Sequence, residues 1–120
     1  MHELSIATAT LNTALAHAEE RPVEVVAMRV GALRQVVPES LEFYWQIVAR
    51  DTVCEGARLE LTVVAARLRC DRCGHEWEPL EPTFRCPGCG AAERVVVAAG
   101  EELTVDYLEL KEPRKEPIHA

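Results

Sequence analysis

The segments CDRCG at residues 70–74 and CPGCG at residues 86–90 decide how the middle of this chain folds. Twelve residues separate the two Cys-x-x-Cys pairs, a spacing typical of a zinc site with four thiolate ligands. Each pair forms a tight turn that points two sulfur atoms at one ion, and the glycine after it suits a left-handed backbone. Four protein ligands leave no open coordination position, so the zinc would be structural rather than catalytic. The predicted ligands are Cys70, Cys73, Cys86 and Cys89.

Two other interpretations of these cysteines are a pair of disulfides and a thioredoxin-like redox pair. The sequence shows no signal-peptide pattern and no apolar run of about 18 residues, so we expect a cytoplasmic protein without a membrane span. Reducing conditions in the cytoplasm disfavour disulfides. The presence of two matched Cys-x-x-Cys pairs argues against a single redox pair. His75 could replace one thiolate, although a solvated or supporting role is favoured. The fifth cysteine, Cys54, is expected to be a small buried apolar side chain.

The segments that flank the cysteine pairs follow helix and strand periods. Apolar residues recur every three or four positions from Leu4 to Ala18, and Pro22 predicts the end of this helix near Glu20. A second helix is expected over 38–50, and strands are expected over 23–30, 58–65, 94–98 and 103–110. This order predicts an α+β fold, with two helices packed on one face of a small β-sheet and an inserted zinc-ribbon-like domain.

The predicted domains follow from this order of elements. The first consists of residues 1–66 together with 95–110, and the inserted zinc-binding domain spans 67–94. The charged tail over 111–120 contains two prolines and is expected to be disordered.

Composition excludes several classes of function. The 120 residues include 20 acidic and 13 basic side chains, for a net charge of −7. Nucleic acids and anionic membranes attract basic surfaces, so binding to either is disfavoured. Between Arg67 and Arg94 five arginines are balanced by five acidic residues, so the cysteine unit has no basic stripe. No nucleophile and base pair or phosphate-binding loop is recognisable, so the sequence does not predict an enzyme.

The first three residues, Met1, His2 and Glu3, form a candidate site for a second metal. The terminal amine, the His2 amide and the His2 imidazole can chelate one ion, and Ni(II) and Cu(II) favour such strong nitrogen donors in a plane. The Glu3 amide or carboxylate, a water or a partner's side chain could fill the fourth position. A histidine at position 2 is more often incidental, so these residues alone leave both interpretations open.

Six segments together resemble one known family. MHELSIA at 1–7, RVGAL at 29–33, VPESL at 37–41, EGA at 55–57 and the two Cys-x-x-Cys-Gly pairs are similar to the HypA family of nickel metallochaperones for [NiFe] hydrogenase maturation. The resemblance runs from residue 1 to about residue 110. An MHE start combined with two zinc-binding pairs is far more specific than either feature by itself.

The resemblance implies a nickel-binding α+β domain with an inserted zinc domain. His2 would be the key nickel ligand, with Met1 and Glu3 beside it, and the four paired cysteines would hold zinc. Nickel would be the cargo of a protein that is a monomer or a homodimer. The implied partners are a HypB-type GTPase and the [NiFe] hydrogenase large-subunit precursor, with urease maturation in some bacteria. Ala32 stands where relatives commonly have glutamate, which places in doubt any role of a carboxylate there.

The alternative function is a zinc-ribbon adaptor that binds protein or nucleic acid and has no nickel role. In that case His2 would be incidental, and metal analysis would find zinc alone.

Overall fold

The computed structural model describes residues 3–79 and 84–111. Its helices are α1 (Glu3–Ala18) and α2 (Pro38–Val48), with a short 3-10 helix at Ala32–Arg34. Its strands are β1 (Val23–Gly31), β2 (Arg58–Val64), β3 (Arg67–Cys70), β4 (Glu76–Trp77), β5 (Val95–Ala99) and β6 (Leu103–Leu110). The predicted α+β class with two helices is confirmed. The tail expected to be disordered lies outside the described residues, apart from Lys111.

The start of α2 and the end of α1 each have a local explanation. Pro38 occupies the first turn of α2, where its missing N–H costs no hydrogen bond. Helix α1 ends at Ala18, two residues before the predicted end, because Glu19 and Glu20 take positive φ angles of 52° and 64°. The chain then turns toward β1, and the Arg21 amide donates to the Ala18 carbonyl at 3.0 Å.

The first sheet has the strand order β2-β1-β6, with β1 parallel to β2 and antiparallel to β6. Strand β1 is central, and its apolar residues are buried along its whole length. Both helices contribute to the core against this sheet. Trp45 of α2 is fully buried there, and its indole N–H donates to the Ala57 carbonyl at 2.9 Å.

A second sheet carries the cysteine pairs, with the order β4-β3-β5 and antiparallel pairing throughout. Among the described residues of this sheet and its two cysteine turns, the buried side chains are Leu68, Cys70 and Cys86. The domain ranges predicted from the sequence group residues 95–99 with the helices, whereas β5 pairs with β3. How the chain divides into domains stays a prediction.

The two sheets meet where β1 ends and β6 begins. The Gly31 amide donates to the Glu102 carbonyl and the Leu33 amide to the Gly100 carbonyl, each at 2.8 Å. A Cβ atom at Gly31 would overlap the backbone of Gly100, so the close approach of these two chains requires glycine. Among the helices within 3–79 and 84–111, none is long and apolar enough to cross a membrane.

Candidate metal centre

Two turns of nearly identical construction present the four paired cysteines. In the first, the Gly74 amide donates to the Cys70 carbonyl at 2.7 Å, and in the second the Gly90 amide donates to the Cys86 carbonyl at 2.8 Å. The two glycines have φ angles of 78° and 75°, in the left-handed region. The sequence therefore builds the same turn twice, as the repeated Cys-x-x-Cys-Gly pattern predicted.

Further backbone hydrogen bonds close both turns and attach the first turn to the second sheet. The Cys70 amide donates to the His75 carbonyl and the Cys86 amide to the Ala91 carbonyl, each at 2.9 Å. The Asp71 amide donates to the Arg94 carbonyl at 2.8 Å, immediately before β5. The turn after β3 is thereby held to the segment that leads into β5.

The four sulfur atoms converge on one point between the turns and all lie within 4.8 Å of one another. The Sγ atoms of Cys70 and Cys89 are 3.6 Å apart, and so are those of Cys73 and Cys86. Zinc–sulfur bonds of about 2.3 Å in a tetrahedron require sulfur–sulfur distances of about 3.8 Å. These distances are far beyond the ~2.05 Å of a disulfide bond, and all five cysteines are free. The cluster therefore fits an ion such as zinc.

The site is half shielded from solvent. Cys70 and Cys86 are buried, whereas Cys73 and Cys89 are exposed. Burial raises the pKa of the Cys70 thiol, but hydrogen bonds from the Cys73 and Arg72 backbones and from the Cys89 side chain lower it to about 7. The His75 backbone lowers the pKa of the Cys73 thiol, but hydrogen bonding to Cys86 and burial raise it to about 11. Metal binding must therefore displace protons, because thiolates are the ligands.

His75 is not part of the sulfur cluster, which consists of cysteines alone. Its ring stacks on Trp77, with centroids 5.7 Å apart and planes 14° from parallel. Its carbonyl accepts the Cys70 amide hydrogen bond, so His75 supports the first turn through its backbone. The favoured expectation, a supporting histidine rather than a ligand, agrees with this position.

Cys54 lies in the core of the first sheet and is 0% exposed. Burial raises the pKa of its thiol, which keeps it protonated and unreactive. The expectation of a small buried apolar side chain is confirmed.

Of the three candidate nickel residues, Glu3 alone lies in the described part of the chain. Met1 and His2 lie outside the described residues, and Glu3 is the first residue of α1 and is half-buried. A shallow hollow beside it is lined by Glu3, Leu4, Ser5 and Tyr44. Ala32 is exposed and begins the 3-10 helix after β1.

Two features were not recognised from the sequence. The close approach of Gly31 to the Gly100 backbone brings together residues far apart in the chain. Its sign in the sequence was the glycine at position 31. Phe43 and Ile47 of α2 are 62% and 40% exposed, and the prediction of this helix did not include an exposed apolar pair. Their spacing of four residues, one helical turn, was the available sign.

Comparison with known proteins identifies the family. Residues 1–110 match the sequence model of the family described as "Hydrogenase/urease nickel incorporation, metallochaperone, hypA". The hydrogenase maturation factor HypA of Geobacter sp. (strain M21) is 44% identical over 112 residues, covering 92% of this chain and 100% of the relative. HypA of Desulfosudis oleivorans is 41% identical over 116 residues, covering 93% and 100%.

A solved structure shares the fold. The solution structure of the Ni metallochaperone HypA from Helicobacter pylori matches with a TM-score of 0.68 and 22% sequence identity, over 92% of this chain and 97% of that one. The fold likeness agrees with the sequence match, and the resemblance first seen in the MHE start and the two cysteine pairs is confirmed. The chain belongs to the HypA family of metallochaperones for hydrogenase and urease nickel incorporation.

Proposed function

We propose that this chain is a nickel metallochaperone that binds Ni(II) at its N-terminus and delivers it during maturation of [NiFe] hydrogenase. Urease is a second target of the same delivery. The observation that carries the proposal is the family match, which begins at residue 1 and so includes the Met1-His2-Glu3 sequence.

The proposed nickel ligands are the Met1 amine, the His2 amide and imidazole, and Glu3 as a further donor. Strong nitrogen donors in a plane suit a d⁸ ion, and nickel can replace the amide proton. The position of Glu3 in α1 supports the proposal, since this donor then belongs to a rigid element.

The proposed role of zinc is structural. Cys70, Cys73, Cys86 and Cys89 would hold it as thiolates, and the ion would cross-link the two turns of the second sheet. The matching turns and the sulfur distances of 3.6 Å support this assignment. The inserted domain at 67–94, and the domain of 1–66 with 95–110, remain the proposed division of the chain.

The proposed partners are a HypB-type GTPase and the [NiFe] hydrogenase large-subunit precursor. We propose that the chain acts in the cytoplasm without catalysing a reaction, as a monomer or homodimer that neither binds nucleic acid nor inserts into a membrane. The net charge of −7 supports the exclusion of nucleic acid.

Metal analysis of the untagged protein tests this proposal against the zinc adaptor. We expect one zinc and one nickel per chain after loading with both ions, and His2→Ala should lose the nickel and keep the zinc. His17→Ala is the matched control, because His17 is an exposed histidine at the other end of α1. Zinc alone in the native protein would favour the adaptor.

A further inference from the structure

Strand β6 lies at one edge of the first sheet. It pairs with β1 on one side, and within residues 3–79 and 84–111 no strand lies on its other side. The free side of an edge strand presents N–H and C=O groups that can pair with another chain. Lysine and proline commonly protect such an edge, and β6 contains neither. The edge is therefore open to a further strand.

The polarity of β6 is the same from either end of the strand. Its half-buried side chains are apolar and pack against the core beneath the helices, whereas its exposed side chains carry oxygen atoms. The half-buried residues are Leu103, Val105, Leu108 and Leu110, and the exposed residues are Thr104, Asp106, Tyr107 and Glu109. The centre of this symmetrical pattern lies between Asp106 and Tyr107.

One extra residue in β6 produces the symmetry. Ala27 and Met28 are neighbours in β1, but they lie opposite Tyr107 and Val105, so Asp106 is left without a partner in the register. Asp106 and Tyr107 are both exposed, and the alternation of side chains resumes after them in the reverse phase. In a regular strand of eight residues the two ends would point to opposite faces. Here both ends point toward the helices.

We propose that β6 pairs antiparallel with β6 of a second copy of this chain, about a two-fold axis between Asp106 and Tyr107, and so forms one six-stranded sheet. Residues directly opposite each other in an antiparallel pair point to the same face. This axis satisfies that condition at all eight positions of β6. The proposed function leaves monomer and homodimer open, and this inference decides between them without depending on nickel binding.

The side chains that this axis places opposite each other match in chemistry. The pairs are Leu103 with Leu110, Val105 with Leu108, Thr104 with Glu109 and Asp106 with Tyr107. Apolar residues thus meet apolar residues, and each carboxylate meets a hydroxyl group. A register shifted by two residues would place Asp106 opposite Glu109, and like charges directly opposite each other destabilise a sheet. Charge and polarity therefore select the same register.

Helix α1 leaves room along this edge. A hollow of about 370 Å³ lies between β6 and the side chains of Thr13 and His17. A second hollow of about 110 Å³ shares Thr13 and Val105 with the first and extends to Ile6. The apolar side chains of a second β6 would extend into these hollows. No carboxylate follows Glu3 in α1, so the two helices would bring no further acids together.

Other occupants fit this edge less well. Residues 112–120 of the same chain include Pro113 and Pro117, which have no N–H to donate to a neighbouring strand. A segment of an unrelated protein could pair with any open edge, and it would not need the symmetrical polarity of β6. A second copy does need it, because a two-fold axis places the strand against itself.

Sedimentation over a range of protein concentrations measures the association, and amide hydrogen exchange locates it. We expect a dimer, with slower exchange of the β6 amides as the concentration rises. The amides of β2, at the other edge of the same sheet, should exchange at one rate throughout.

Thr104→Glu and Thr62→Glu form a matched pair of variants. Thr62 of β2 and Thr104 of β6 are both exposed and both lie opposite Arg29 of β1, and each substitution adds one negative charge. Thr104→Glu places a carboxylate opposite Glu109 twice in each dimer, so we expect the dissociation constant to rise about tenfold. Thr62→Glu should leave it unchanged. Adding Glu109→Lys to Thr104→Glu should restore the native affinity, since opposite charges then meet.

Four results would overturn the proposal. The native chain could remain a monomer at millimolar concentration, or it could form a dimer whose β6 amides exchange as fast as those of the monomer. Protection of the β6 amides that does not change with concentration would assign the edge to the same chain. Thr104→Glu could also weaken the dimer no more than Thr62→Glu does. A native chain that binds no nickel would refute the proposed function and leave this pairing standing.

Discussion

The two sheets of this molecule are stabilised by different chemistry. The sheet β2-β1-β6 packs against two helices over an apolar core that includes Trp45, Leu41 and Met28. The sheet β4-β3-β5 buries little apolar surface beyond Leu68 and places two of its four paired cysteines among its few buried residues. A unit of this size with so few apolar contacts cannot offset its own ordering entropy. The comparison leads us to expect that the first sheet depends on burial and that the second depends on a metal.

Removing a thiolate should produce the largest effect. We expect Cys73→Ser to release zinc and unfold the second sheet while the helices remain folded, because structural zinc contributes on the order of 10 kcal/mol to such units. Zinc content and circular dichroism of the full chain measure the two effects. Cys54→Ser, at a cysteine outside the cluster, is the control and should keep its zinc. A second sheet that stays ordered after complete zinc removal would break the comparison.

Removing the core tryptophan should affect the first sheet instead. Trp45→Ala deletes a fully buried side chain and leaves the Ala57 carbonyl without its indole donor. We expect a loss of about 3–5 kcal/mol in the free energy of unfolding. Chemical denaturation measures it, and zinc binding should persist wherever the chain is folded. If this variant lost zinc at lower denaturant concentrations than the native chain while its helices were still folded, the two sheets would not be independent.

Acid should weaken zinc binding. The Cys73 thiol, with a pKa of about 11, is protonated throughout the neutral range, and the Cys70 thiol becomes protonated below about pH 7. Zinc must displace these protons, so its affinity is highest at high pH and falls as the pH decreases. We expect the zinc dissociation constant to rise about a hundredfold or more from pH 8 to pH 6. Competition with a chelator measures it, and a flat profile would contradict thiolate ligation.

The junction between the sheets should tolerate no side chain at Gly31. Gly31→Ala places a Cβ against the Gly100 backbone, so we expect a loss of roughly 1–3 kcal/mol in the free energy of unfolding. Gly88→Ala is the control, since the nearest atom to its Cβ would be the Cys86 sulfur at 3.7 Å, an ordinary contact. Equal stability of both variants would show that the junction can relax.

A surface ion pair should matter least. Arg29 of β1 and Asp106 of β6 approach to 2.9 Å, but both side chains are solvent-accessible. We expect Arg29→Ala to change the free energy of unfolding by about 0.5 kcal/mol. A loss several times larger in chemical denaturation would mean that polar contacts contribute to the first sheet as strongly as its core does.

Local patterns made much of this fold predictable. Pro22 follows the end of α1, and Pro38 lies at the start of α2. The repeated Cys-x-x-Cys-Gly sequence predicted the turns and the grouping of the four sulfur atoms. The pairing of β5 with β3 could not be predicted, because Val95–Ala99 has an apolar pattern that fits either sheet. The exposure of Phe43 also depends on which face of α2 the first sheet covers. The ligand set of Met1, His2 and Glu3 rests on chemistry and family membership and stays a prediction.

The most direct test of the central claim is nickel titration of the untagged chain with a free and with an acetylated N-terminus. The proposed chelate needs the Met1 amine, whose ordinary pKa of about 7.7 lets nickel displace its proton near neutral pH. We predict one nickel per free chain, and a loss of at least about tenfold in affinity after acetylation with zinc content unchanged. Equal nickel affinity of the two forms would contradict the ligand set, and the nickel site would have to lie elsewhere in the chain.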